Sequence, residues 1–352
     1  MLRRARLITG SYYKQHSVVP RGSGGQSVSP LDLVKLTPLM NLTSGRAEVV
    51  IALIDGPVLT AHADLASASI REIPGRLAGT CARADSTACM HGTFVAGILC
   101  AKRGSAAPAI CPNCTLLVRP IFAEGTPANA HMPSATPEEL ATAISDCIDG
   151  GAHVINLSAA LTQPSSKGEH KLEEALDYAA RRGVIVVAAA GNQGTVGSTA
   201  ITRHPWVIPV IACDLRGRPL GYSNLGSSIG RRGLSAPGDG IISCTTNGQS
   251  PTFGGTSAAA PFVTGAIALL QSIFPDATSA DLKIGVTRGH VLRRSAVVPP
   301  LLDAWAAYQA LLTTHSAEVT SDRQHEENKN QDRGQREART TAPSRASTWI
   351  HQ

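Results

Sequence analysis

Aromatic residues make up only 4% of this 352-residue chain, so its core must be built from Ala, Val, Ile and Leu. No stretch approaches the roughly 18 consecutive apolar residues of a bilayer-spanning helix. The start, Met1 to Pro20, carries basic residues but lacks the apolar run of a secretory signal. Together these absences lead us to expect no membrane association and a cytoplasmic location. Net charge is also scarce outside the N-terminal end. Of the net +6, residues 1–45 supply +5, from Arg3, Arg4, Arg6, Lys14, Arg21 and Lys35 against Asp32. From Thr314 onward six basic and six acidic residues cancel. A near-neutral body excludes a nucleic-acid platform. Cys111 and Cys114 form a C-x-x-C, but no second pair completes a zinc site. Internal repeats are absent.

A reducing compartment would keep the eight cysteines as thiols. Cys100, Cys147, Cys213 and Cys244 sit in apolar stretches and read as small core residues. Cys81 and Cys89 flank a short loop, where a disulfide is the alternative. No calcium-ligand run is visible; Asp85 and Asp239 are the acids that a calcium site would use. We therefore expect no metal and no cofactor.

What is present is an alternation. Apolar runs at Glu48–Ile54, Thr115–Phe122, His153–Ser158, Val184–Ala190 and Val207–Cys213 read as strands buried on both faces. A short strand is expected near Ile241–Cys244. Between them lie helical patterns at Leu31–Leu42, Gly92–Leu99 opened by His91, Thr136–Gly150, Glu169–Arg182, Ser257–Phe274 and Leu301–Leu312. Thr136-Pro-Glu-Glu139 supplies a cap, a first-turn proline and first-turn acids. Arg181-Arg182-Gly183 supplies the basic end and the terminating glycine of another helix. Strands alternating with helices specify an α/β domain with a mostly parallel central sheet. The expected boundaries are a basic, linker-like extension over 1–45, the domain over 46–312, and a polar, disordered tail over 313–352.

In such a sheet, functional groups gather beyond the carboxyl ends of the strands. Asp55 directly follows one strand and Asn192 another. His91 and Ser257 each begin an expected helix. Ser257 lies in Phe253-Gly-Gly-Thr-Ser-Ala-Ala-Ala-Pro261, where the helix start favours negative charge. Taken alone, that stretch is equally a glycine-rich turn capping a core helix. The four residues together fit nucleophilic acyl transfer. A serine hydroxyl needs a base, the histidine needs a carboxylate, and the tetrahedral intermediate needs donors at its oxyanion.

Asp55-Gly56, His91-Gly92-Thr93 with Ala96-Gly97, Ala190-Gly191-Asn192, and Gly255-Thr256-Ser257 with Pro261 resemble the motifs of subtilisin-like serine proteases, in that family's order Asp, His, Ser. The resemblance covers about residues 45–312 and implies a three-layer fold of sheet and flanking helices. It also implies Ser257 as nucleophile, His91 as general base, Asp55 as its orienting carboxylate, and Asn192 with the Ser257 N–H as oxyanion hole. Asn156, Leu157, Ser158, Ala159 and Ala160, with Gly191, match the segment that lines the substrate backbone.

Two departures bear on specificity. Family members usually carry Ser-x-Gly-Gly on that strand, whereas here Ala159, Ala160 and Leu161 occupy the stretch and no glycine does, implying a narrower or shallower first pocket. Gly56-Pro57, the Cys89-x-His91 arrangement and Cys111-Pro-Asn-Cys114 resemble the protease domains of cyanobactin-type peptide maturation. The implied partner is then a precursor peptide. A macrocyclising transpeptidase and an inactive precursor-binding module are the alternatives. The loop Ala123–Thr136 is short for a water-excluding lid, which favours hydrolysis. Secreted family members carry a signal and a folded propeptide; residues 1–45 are patterned as neither, so we expect intracellular processing. His62, His131, His153, His170 and His204 read as structural or surface residues.

Overall fold

The computed structural model describes residues 7–9, 12–13, 28–125, 134–161, 169–246, 253–288 and 297–315. In chain order the strands are β1 (Leu7–Thr9), β2 (Tyr12–Tyr13), β3 (Val50–Asp55), β4 (Ser69–Glu72), β5 (Thr115–Pro120), β6 (Ser134–Ala135), β7 (Val154–Leu157), β8 (Ala159–Leu161), β9 (Ile185–Ala189), β10 (Val207–Cys213), β11 (Leu234–Pro237) and β12 (Phe253–Gly254). The helices are α1 (Pro30–Leu33), α2 (Leu36–Leu42), α3 (Thr87–Cys100), α4 (Pro137–Asp149), α5 (His170–Arg182), α6 (Ala200–Arg203), α7 (Ser227–Arg232), α8 (Thr256–Ile273) and α9 (Ser279–Arg288). Residues 304–315 are also helical. Met1–Tyr308 form one compact unit and Gln309–Gln352 a second.

The main sheet has seven strands in the order β11-β10-β9-β7-β3-β5-β4, and every pairing in it is parallel. The expected parallel α/β architecture is present. Period-two alternation along β3 decides which groups reach which face. Val50, Ala52 and Ile54 join the core that holds Leu140 and Ile144 of α4 and Leu172 and Leu176 of α5. The alternate set, Ile51, Leu53 and Asp55, therefore faces α3 and α8. Ile155 and Leu157 of β7 likewise face α4 and α5, which turns Asn156 toward α8.

α8 is the central helix of its layer, packed on α3 and on β7, β9, β10 and β11. By length and composition it is apolar enough to cross a membrane, contrary to the sequence expectation, but 89% of it is buried inside the fold. It is a core helix, hydrophobic on all sides because protein surrounds it.

Several boundaries differ from expectation for local reasons. α3 begins at Thr87 rather than beside His91, because Ser86 caps it by accepting from Cys89 N–H at 3.1 Å. The Leu31–Leu42 helix is two helices, broken where Lys35 takes a left-handed backbone (φ 53). The edge strand is Leu234–Pro237, whereas Ile241 makes only an isolated bridge to Phe253. Within the extension expected to be linker-like, Leu7–Thr9 and Tyr12–Tyr13 are strands paired with the body. The expected tail beyond residue 315, His131 and most of the 123–136 loop lie outside the described residues.

Cys81 and Cys89 form a disulfide. This corrects the all-thiol reading: a short loop brings the two together just before His91. Closing so small a loop restrains the unfolded chain by about 2–3 kcal/mol. The six other cysteines are free and buried. Burial pushes the Cys100 and Cys147 thiols far up, so they act as small apolar groups.

Candidate active site

Asp55 ends β3 with its side chain fully buried, and its Oδ1 lies 2.6 Å from His91 Nδ1. A carboxylate only accepts, so Nδ1 carries the proton and Nε2 is the free basic nitrogen. The same Oδ1 accepts from Gly56 N–H at 2.6 Å, which fixes the carboxylate. His91 sits one turn inside α3, 1% exposed, with Phe253 edge-on to its ring at 6.3 Å. Among the described residues no hydrogen bond reaches His91 Nε2, although that atom is buried. A buried polar atom left unpaired is costly, and such atoms in native folds usually have a role.

The glycines of both motifs follow from how closely α3 approaches the end of β3. A Cβ on Gly56 would lie 2.1 Å from the Ala88 carbonyl oxygen. One on Gly92 would lie 2.4 Å from the Pro57 oxygen. Thr93 completes the contact by accepting from Leu59 N–H at 2.9 Å. Gly92→Ala should therefore drive α3 off β3 and separate His91 from Asp55. We expect a lowered melting temperature and about a hundredfold loss of kcat/KM, the usual cost of an ångström-scale misplacement. Gly221→Ala is the control: an added Cβ there meets nothing within 4 Å, so both readouts should hold.

Ser257 is the second residue of α8, behind the N-cap Gly255, and its side chain is 1% exposed. Its N–H belongs to the first helical turn, which has no acceptor within the helix. Its Oγ donates to the Ser158 carbonyl at 3.2 Å. In return, Ser158 Oγ donates to the Ser257 carbonyl at 3.4 Å. Pro261 explains that second bond. Four residues on from Ser257, proline has no N–H to give back, so the Ser257 carbonyl is released from the helical ladder.

Asn192 follows β9 through Gly191, which turns the chain at φ +103. Asn192 Oδ1 accepts from Thr256 N–H at 3.0 Å, leaving its NH2 as the donor end of the amide. Gly191 N–H in turn donates to Thr256 Oγ1 at 3.1 Å. Thr256 thereby ties the Asn192 loop to the head of α8. Asn224, which the sequence did not single out, holds the same loop. It accepts from Gln193 and Thr195 N–H at 3.0 and 3.1 Å and donates to the Ala190 carbonyl at 3.1 Å. Its partners lie about thirty positions away, so no local pattern marks it.

The expected substrate-lining set divides. Asn156 and Leu157 belong to β7, whose two edges are both taken by β3 and β9. Their backbones have no free edge for a ligand. Leu157 is buried in the core, and Asn156 accepts from Thr264 and donates to Ser158, at 2.9 and 2.7 Å. Those two assignments are corrected to structural roles. Ser158, Ala159 and Ala160 continue past the sheet and remain candidates. Gly191 serves the loop, since a Cβ there would meet Asn224 at 2.4 Å.

His62, His153 and His204 each hold local structure. His62 caps the turn Ala63–Leu65 by accepting from Asp64 N–H at 3.1 Å. His153 accepts from Val50 N–H, and His204 is bonded to Asp177. Asp85 pairs with Arg83. Among the described residues, neither Asp85 nor Asp239 belongs to a group of side chains close enough to share an ion.

Residues 46–334 match the subtilase family. A thermophilic serine proteinase from Bacillus sp. (strain AK1) is 37% identical over 185 residues, 52% of this chain but only 42% of that protein. Among solved structures, the protease domain of PatA superposes with a TM-score of 0.70 at 29% identity, covering 77% of this chain and 97% of that one. Prenylagaramide maturation protease PagA gives 0.68 at 27%, covering 78% and 98%. The family match takes in every residue of the Asp55, His91, Asn192 and Ser257 constellation, and the chain belongs to the subtilase family.

Proposed function

We propose that the protein is a serine endopeptidase that processes a ribosomally made precursor peptide through an acyl-enzyme. The observation that carries this reading is the polarised pair: a buried carboxylate 2.6 Å from His91 Nδ1, with the opposite nitrogen unpartnered on the side of chemistry. For catalysis the Ser257 hydroxyl would leave the Ser158 carbonyl and donate to that nitrogen. His91 then removes the proton as Oγ attacks a peptide carbonyl. Asn192 NH2 and the Ser257 N–H receive the oxyanion, and the α8 N-terminus favours its charge. His91 returns the proton to the leaving amine, and water resolves the ester.

The substrate would add as a strand along Ser158–Ala160, with alternate side chains in pockets. Likeness to the PatA and PagA proteases supports a precursor peptide as that substrate. Asn192→Ala should cost about 10²–10³ in kcat with KM nearly unchanged, because the amide acts on the oxyanion and not on the ground state. The deciding experiment incubates the protein and Ser257→Ala with a candidate precursor and weighs the products. Cleavage present only in the parent supports hydrolysis. A product one water lighter than the linear fragment indicates cyclisation instead. No cleavage and no labelling by a fluorophosphonate would sink the enzymatic reading.

A further inference from the structure

We propose that His62, Asp64 and Cys244 form a binding site for a thiophilic divalent cation, Zn²⁺ by preference. The site shares no residue with the Asp55, His91, Asn192 and Ser257 constellation and stands independently of the protease reading. It departs from the metal-free expectation drawn from the sequence, where Cys244 lies too far along the chain from His62 and Asp64 for any spacing to join them.

One ligand atom from each of the three residues lies within 4.8 Å of the other two. Around a tetrahedral Zn²⁺ with bonds of about 2.0–2.3 Å, neighbouring ligand atoms stand about 3.3–3.8 Å apart. Small side-chain adjustments therefore close the set on one ion. The donor types choose the metal. Imidazole nitrogen, carboxylate oxygen and thiolate sulfur together suit zinc, whereas calcium and magnesium take oxygen ligands. Solvent supplies the fourth ligand, because His62 and Asp64 are partly exposed. Cys244 is only 3% exposed and forms the inner wall. The other such grouping among the described residues, Cys81, Cys89 and Glu124, has its two sulfurs joined as a disulfide.

Both segments that carry the ligands are held in place by α3 and its end. The Asp64 carbonyl accepts from Lys102 N–H at 2.7 Å, and Leu65 N–H donates to the His62 carbonyl at 2.9 Å. On the other side, Ser243 Oγ donates to the Phe94 carbonyl at 2.7 Å. Cys244 is pressed so closely on α3 that a Cβ on Gly97 would lie 2.7 Å from its sulfur. As the S–Zn bond forms, the Cys244 thiol releases its proton to solvent. His62 gives up the bond that it accepts from Asp64 N–H at 3.1 Å. That bond is lost whichever nitrogen coordinates, since a ring bound through Nε2 carries its proton on Nδ1. One neutral cap bond is thus exchanged for three coordinate bonds. The ion ties the turn that follows β3 to the segment that follows β11, both against the helix that carries His91.

The test uses the full chain, freed of metal by chelation and kept without reductant so that the Cys81–Cys89 disulfide stays closed. Calorimetric titration with Zn²⁺ should give one site per chain with a Kd at or below about 1 μM. Co²⁺ in its place should bring a thiolate-to-metal charge-transfer band and the visible absorption of a tetrahedral ion. Cys244→Ser should abolish that band and weaken Zn²⁺ binding by about a hundredfold or more, beyond the 10–100-fold typical of a residue that only supports a ligand. His62→Gln and Asp64→Asn should each weaken it about tenfold or more, and they carry the test if Cys244→Ser does not fold. Cys147→Ala, in the core on the opposite face of the sheet, should bind as the parent does. Zn²⁺ at about a hundred times Kd should raise the parent's melting temperature by about 5 °C and leave that of Cys244→Ser unmoved. No complex at about 100 μM Zn²⁺, or parental affinity in Cys244→Ser, overturns the site. A cobalt band that survives in Cys244→Ser overturns it as well, since the metal then sits on another thiol.

Discussion

Ser257→Ala should lower kcat for peptide hydrolysis about 10⁶-fold, and adding His91→Ala should lower it little further. The reason is that the two groups perform one event. Ser257 Oγ is a nucleophile only while His91 Nε2 takes its proton, and Nε2 has no other partner among the described residues. Removing either ends covalent catalysis. What remains is the oxyanion donors and the binding strand, which act on water attack as they would on serine attack. Steady-state kinetics on one peptide, with each variant's folding verified by its melting curve, measures this. If the two losses multiply, the residues act independently and the triad assignment fails.

Asp55→Asn should cost about 10⁴ in kcat while leaving the fold near its parental stability. Asp55 Oδ1 accepts from both His91 Nδ1 and Gly56 N–H, each at 2.6 Å. An amide keeping its oxygen there puts an NH2 where buried Oδ2 now sits without a partner. The opposite orientation points NH2 at the Gly56 N–H and makes His91 Nδ1 an acceptor. The ring proton then moves to Nε2, which can no longer receive the serine's. Both orientations lose the charge that stabilises the imidazolium. A kcat within tenfold of the parent would mean that Asp55 is only a turn residue.

The sequence made the chemistry legible and the N-terminal strands illegible, for the same physical reason. Asp55 ends a continuous apolar run, so its strand and its rim position are local facts. The cap of α4 was equally local: Thr136 accepts from Glu139 N–H, and Glu139 returns a bond to Thr136 N–H. The start of α3 was missed because Ser86, a single cap residue, outweighs the helical pattern around His91. β11 was missed because Leu234-Ser-Ala-Pro237 has little apolar character and ends in proline, as an edge strand can. Leu7–Tyr13 carries no periodicity at all. Leu7–Thr9 and Tyr12–Tyr13 become strands by pairing with segments more than 120 residues away, which composition does not report.

One consequence of α8's burial concerns how the protein fails. Enzymes often lose activity in a local opening that precedes unfolding, because their reactive groups ride on weakly held loops. Here the nucleophile belongs to a helix enclosed by a sheet and other helices, and that helix opens only when the core dissolves. Amide protons of Val263–Leu270 should exchange with solvent only through global unfolding. Heat inactivation, followed by fluorophosphonate labelling of Ser257, should then trace the same curve as loss of helical circular dichroism, with no inactive but folded species between.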